Sequence, residues 1–139
     1  MNGWLLDTNV VSELTKSTPD SGVVSFLSGR ENLWLSTVVL HELEFGVRCL
    51  PLGKRRTRLH GAISNLSDSF EDRILAVEKK EAAWAARLRA TVHRSGRVLH
   101  LGDALIAGTA RAHELAVVTR NVSDFEGLGV EIANPWRQL

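Results

Sequence analysis

Four carboxylates stand where a folded chain has little reason to place a solvated acid: Asp7, Glu42, Asp103 and Asp124. Asp7 ends the apolar run Trp4-Leu5-Leu6, and Asp124 follows the run from Val117 to Thr119. Asp103 opens an alanine-rich segment, and Glu42 lies in HELEFG just after a second apolar run. They are too far apart along the chain to form a local motif, so only a tertiary fold can assemble them. Gathered in one pocket they would repel, and like charges raise carboxyl pKa values. A hard divalent cation removes that repulsion, because Mg²⁺ or Mn²⁺ takes oxygen ligands, keeps several waters and shares substrate phosphates. Such a centre, with one cation or two about 4 Å apart, points to phosphate-ester hydrolysis: the metal acidifies a bound water, aligns it and neutralises charge on the phosphorus oxygens. Each acid also has a purely local reading. Asp7 and Asp103 can cap helices, Asp124 can be a turn residue, and Glu44 competes with Glu42.

The elements that must position these acids alternate along the chain. Apolar runs at 4–6, 33–37, 73–77, 115–119 and 130–133 read as strands. Helices are expected over 9–16, around 23–27, over 54–66, 79–95 and 104–115, with a short one inside 120–126. A further helix, capped by Ser36 or Thr37, carries Leu40, Leu43, Val47 and Leu50 on one face. This alternation predicts an α/β fold, a mostly parallel central sheet flanked by helices, as a single domain over 1–139. In an open sheet of that kind, functional groups collect beyond the carboxyl ends of the strands. Chain direction puts Asp7 and Asp124 there, and helix starts can bring Glu42 and Asp103 to them. Ala104, Ala107, Gly108 and Ala110 permit close helix packing, and Gly46, four residues after Glu42, suggests a close backbone approach on that face.

Composition narrows the classes. Hydrophobic residues make up 44% and charged residues 24%, which fits a folded globular chain. No run of about 18 apolar residues is present, so no membrane-spanning helix is expected. The start MNGWLLDTNVV has no basic residue before Lys16 and does not read as a secretory signal. Cys49 is the single cysteine, which excludes an internal disulfide and suggests a reducing, cytoplasmic setting. The net charge is only +1, but residues 54–97 hold 11 basic and 5 acidic residues against 6 and 11 elsewhere. A basic middle suits a polyanionic partner. The histidines at 41, 60, 93, 100 and 113 lack metal-site spacing, and Trp4, Trp34, Trp84 and Trp136 sit in runs that favour packing. No GxGxxG or GxxxxGK[ST] loop occurs, which argues against a dinucleotide oxidoreductase or a P-loop NTPase.

The segments LLDTNVVSE at 5–13, STVVLHELEFGV at 36–47, GDALIAGTA at 102–110 and VVTRNVSDFEGLGVEIANPW at 117–136 together resemble the PIN domains. Within them, the likeness is to the VapC/FitB-type ribonuclease toxins of toxin–antitoxin pairs, and TRNVSDF points to the FitB-like branch. The resemblance spans essentially the whole chain and implies a metal-dependent endoribonuclease using Mg²⁺ or Mn²⁺. Its acids fall on Asp7 and Asp103 as principal ligands, with Glu42 and Asp124 binding directly or through water. Asn9 matches the polar position two after the first acid, Ser12 would bond the metal cluster or substrate, and Thr119 and Asn121 match the polar pair after the last long strand. Many PIN proteins carry an acid where Asn121 stands; here that role falls to Asp124. The resemblance further implies an RNA substrate, whose backbone Arg48, Lys54, Arg55, Arg56 or Arg58 could hold, and a homodimer. A cognate antitoxin would bring the pair to operator DNA through its own DNA-binding domain and block the acidic pocket with its tail. Two other readings compete. One is a PIN-like binding module without catalysis, which has no need of four acids. The other is a phosphohydrolase with Asp7 as nucleophile, which lacks the usual second acid because position 9 is Asn.

Overall fold

The apolar runs become short strands, and every strand pairing is parallel. The computed structural model describes residues 2–137. Along the chain come β1 (Trp4–Leu6), α1 (Thr8–Leu14), α2 (Ser21–Ser28), β2 (Leu33–Ser36), α3 (Thr37–Arg48) and α4 (Lys54–Ser69). A 3₁₀ turn (Glu71–Arg73) leads to β3 (Ile74–Leu75), α5 (Lys79–Arg94), α6 (Leu101–His113), β4 (Ala116–Val118), α7 (Val122–Phe125) and β5 (Ile132–Ala133). The result is a single α/β domain with a parallel sheet ordered β3-β2-β1-β4-β5. In register, Leu5 lies beside Trp34 of β2 and Val117 of β4, and Leu6 beside Val118. Leu5, Leu6, Val117 and Val118 are fully buried, as expected for central strands covered on both faces. The order reverses around β1: β2 and β3 lie to one side, β4 and β5 to the other. A crevice opens beyond the carboxyl ends of strands at such a switch point. Asp7 and Thr119 are the first residues past β1 and β4.

Several boundaries differ from expectation. The edge strands shrink, 73–77 to Ile74–Leu75 and 130–133 to Ile132–Ala133, because each has a partner on one side only. The helix expected over 9–16 ends at Leu14, where Thr15 donates its hydroxyl to the Ser12 carbonyl at 2.6 Å. Leu50 falls outside α3, which ends at Arg48, while Ser36 caps it by accepting from Val39 N at 3.3 Å. The helix expected to begin at Ala104 begins at Leu101 with His100 at its N-cap, so Asp103 lies inside the first turn and caps nothing. Domain residues 1, 138 and 139 lie outside the described residues.

The close helix packing expected around Gly108 is present. A Cβ there would stand 2.7 Å from Ala85 N and 2.8 Å from Glu81 O, so α6 can touch the α5 backbone only at a glycine. At Gly46 no atom lies within 4 Å of such a Cβ, and the backbone approach expected on the Glu42 face is absent. All four tryptophans are half-buried; Trp4 packs edge-on against Phe26, and Arg111 lies over Trp84. Gly108→Ala is expected to lose roughly 1–3 kcal/mol in urea unfolding through backbone overlap. Gly46→Ala should be neutral or gain up to about 1 kcal/mol from helix propensity. Equal tolerance at the two sites would contradict the α5–α6 contact.

Candidate acidic site

Asp7 is 5% exposed at the end of the central strand. Its N–H still donates to the Val118 carbonyl at 2.9 Å, so the residue remains on the β1–β4 ladder. One carboxylate oxygen, Oδ1, accepts from Thr8 N at 2.8 Å and caps α1. The other, Oδ2, accepts from Thr119 Oγ1 at 2.8 Å and from Asn9 Nδ2 at 3.3 Å. The cap and the tertiary site are therefore the same side chain. Thr119 is fully buried and donates its single hydroxyl proton to Asp7. Its oxygen accepts from Asn9 Nδ2 at 3.2 Å and Asn121 N at 3.0 Å, and Asn9 Oδ1 accepts from Arg120 N at 3.1 Å. This hub ties the start of α1 to the β4–α7 loop. Among the described residues no buried side-chain polar atom lacks a partner.

The other acids arrive on three different helices. Asp103, half-buried in the first turn of α6, is pushed up to about 6, first by burial and then by the charges of Asp7, Asp124 and Glu42, with His100 opposing. Burial also raises Asp7, with Asp124 adding to it, against the hydrogen bonds from Thr119, Thr8 and Asn9. Glu42 is exposed on the second turn of α3, where Oε1 accepts from Thr8 Oγ1 at 3.0 Å. That oxygen lies 3.7 Å from where a Gly102 Cβ would stand, an ordinary van der Waals distance that puts the acid beside the start of α6. Asp124 is exposed in the first turn of α7.

The four carboxylates thus share one electrostatic neighbourhood, and no salt bridge among the described residues reaches any of them. An all-oxygen donor set with unbalanced negative charge fits a hard divalent cation. Its geometry is open: among the described residues no group of three or more His, Cys, Asp or Glu is arranged to hold a metal ion.

The remaining expected residues divide. Asn9 and Thr119 join the hub directly, whereas Asn121 contributes its backbone N–H and Ser12 is exposed and outside it. Arg48 pairs with Glu44 at 2.8 Å, whereas Glu42 is the acid of this helix that accepts from Thr8. Arg56 and Arg58 donate to the carbonyls of Leu50 and Thr15, while Lys54 and Arg55 are exposed on α4. Sequence reasoning missed Thr8 and Gly102. Thr8 carried a signal, a hydroxyl immediately after the first acid at a helix start.

A family model described as the PIN domain matches residues 4–128. The chain is 40% identical over 138 residues to the VapC ribonuclease Y4jK of Sinorhizobium fredii, across 95% of this chain and 96% of that protein. It is 36% identical over 135 residues to toxin FitB of Neisseria gonorrhoeae, across 95% and 97%. A chain in the structure of FitAB bound to an IR36 DNA fragment matches it with a TM-score of 0.89 at 32% identity, covering 98% of this chain and 97% of that one.

The raised Asp103 pKa has a stability consequence. Folded protein holds this proton more tightly than unfolded protein does, so the group's contribution to stability falls as pH rises from about 4 through about 6. Asp103→Asn is expected to be more stable than the parent at pH 7.5 in chelator, by on the order of 1 kcal/mol once solvent screening of a half-exposed group is allowed for. Near pH 4 the two should melt alike. Thermal unfolding at both pH values checks this, and a gap that does not depend on pH would contradict the coupling.

Proposed function

The chain belongs to the PIN-domain family and is closely related to the VapC/FitB-type toxins of type II toxin–antitoxin systems, and we propose that it is the toxin ribonuclease of such a pair. The reaction is hydrolysis of RNA phosphodiester bonds, with Mg²⁺ or Mn²⁺ as cofactor. The observation that carries this reading is the gathering of Asp7, Glu42, Asp103 and Asp124, none of them reached by a salt bridge among the described residues, beside the carboxyl ends of β1 and β4. Asp7 and Asp103 would hold the metal, and Glu42 and Asp124 would bind it directly or through water. When bound, the cation supplies Lewis-acid activation of water and neutralises charge on the phosphorus oxygens.

The chain's own residues do the positioning. Thr119 and Asn9 hold the Asp7 carboxylate, and Thr8 holds Glu42. Glu42 and Asp124, both exposed, orient the attacking water. Lys54 and Arg55 on α4, with Arg48, Arg56 and Arg58 nearby in sequence, would steady the flanking RNA backbone. The domain is taken as 1–139, working as a homodimer in the cytoplasm. Among the described residues no helix is long and apolar enough to cross a membrane. The FitAB structure bound to DNA supports a cognate antitoxin that carries the complex to operator DNA. A non-catalytic PIN module inside a partner complex is the competing reading, favoured by the open arrangement of the acids.

Purified, antitoxin-free protein is expected to cut single-stranded RNA in Mg²⁺ or Mn²⁺ and to stop in EDTA. Asp7→Asn and Asp103→Asn should each lower the rate roughly 100-fold or more, the scale for losing a charge-stabilising group, with far-UV circular dichroism unchanged. Cleavage that persists in both variants would refute the metal assignment, and absence of Mn²⁺ uptake at millimolar concentration would favour the non-catalytic module.

A further inference from the structure

Asp124 is the least supported acid of the site. It rides on α7, only four residues long, and helices of that length do not sustain themselves. Its carboxylate accepts no hydrogen bond among the described residues, yet its charge registers on both Asp7 and Asp103. This helix is tied to the rest of the fold. Phe125 is fully buried and sets its depth against the core. At its end stands Arg97, whose Nη2 donates to the carbonyls of Ser123 at 3.2 Å and Asp124 at 2.8 Å, and whose Nη1 donates to that of Glu126. These are the carbonyls that a helix C-terminus leaves without partners, and they form the negative end of its dipole. A planar cation with several N–H groups suits them better than any neutral donor.

Arg97 is in turn placed by backbone chemistry. α5 ends in a paired cap around Gly96, which has φ 82°: Gly96 N donates to the His93 carbonyl at 3.0 Å and Arg97 N to the Val92 carbonyl at 3.0 Å. The half-buried Arg97 side chain therefore leaves from a fixed point. Two residues before α6, the same connection is fastened again where Arg89 Nε donates to the Leu99 carbonyl at 3.2 Å, and this connection leads directly to Asp103.

We propose that Arg97 is a positioning residue for the acidic site, clamping the end of α7 so that Asp124 is presented to Asp7 and Asp103. Its contacts run to main-chain carbonyls and it forms no salt bridge with the Asp124 carboxylate, so it places the acid without neutralising it. The catalytic consequence rests on the nuclease reading; the clamp does not.

The test uses the full chain with Arg97→Gln and Arg97→Lys, each with and without Asp124→Asn. It reads ¹⁵N order parameters of the metal-free protein, Mn²⁺ binding by calorimetry, and RNA cleavage. In Arg97→Gln the order parameters at 122–127 are expected to fall from about 0.85 towards 0.6, with α3 and α6 unchanged. Its half-saturating Mn²⁺ concentration should rise roughly 10-fold, the scale for losing an outer-shell partner. With Asp124 already changed to Asn, removing Arg97 should cost no further Mn²⁺ affinity. Arg97→Lys, with a single ammonium, should fall between, and it carries the same cycle should Arg97→Gln fail to fold. Unchanged order at 122–127, or affinity losses that multiply in the double variant, would overturn the proposal. Protein that binds Mn²⁺ and obeys this cycle but cuts no RNA would overturn the nuclease reading alone. A wild-type chain that binds no Mn²⁺ would overturn the nuclease reading, and the clamp would then stand or fall on the order parameters at 122–127.

Discussion

A carboxylate buried at the tip of the central strand is the constraint around which this molecule is organised. Taking Asp7 out of water is unfavourable unless donors replace the lost hydration. The donors come from Thr8 and Asn9 next to it and from Thr119, 112 positions away. Thr119 can reach Asp7 only if β4 lies directly against β1, and that adjacency is the point where the strand order reverses. The charges of Glu42 and Asp124 are felt at Asp103 on the same side of the sheet's reversal, beyond the ends of β1 and β4. Sheet topology and the chemistry of one side chain are thus a single requirement.

Like charge accumulates there because rigid supports hold each acid from a separate element. α3 is capped by Ser36, α6 is pressed against α5 at Gly108, and α7 is anchored by Phe125. Burial first, and then the charges of Asp7, Asp124 and Glu42, raise the Asp103 carboxyl to about 6. Arginines near this framework serve the backbone more than they serve the acids. Arg30, Arg56, Arg58, Arg89, Arg97 and Arg111 each donate to main-chain carbonyls. Part of the positive charge that suggests a polyanionic partner is therefore committed to holding loops and helix ends. Lys54 and Arg55 remain exposed, and the polyanion argument narrows to residues of that kind.

Much of the candidate site was legible because its signals are local. An acid at the end of an apolar run, as at Asp7, marks a strand terminus whatever the rest of the chain does. Asp103 was legible as an acid at a helix start, although the helix begins earlier, at Leu101, whose exposed side chain breaks the apolar periodicity that marks a boundary. Glu42 and Glu44 could not be separated by spacing. Their partners separate them: Glu42 accepts from Thr8, whereas Glu44 pairs with Arg48. Gly46 misled because a glycine four residues from an acid looks like a contact point, whereas the space around it is open.

Residue chemistry and hydrophobic period, both readable along a line, were enough to name the acids, the element types and the parallel sheet. They could not say which element lies beside which, since a period of two or of 3.6 carries no information about strand order. The Thr8–Glu42 bond, the Thr119 hub and the Arg97 clamp on α7 join segments 34, 112 and 26–29 positions apart. Only the pairing of β1 with β2 and with β4, and the packing of α5 against α6, bring those segments together.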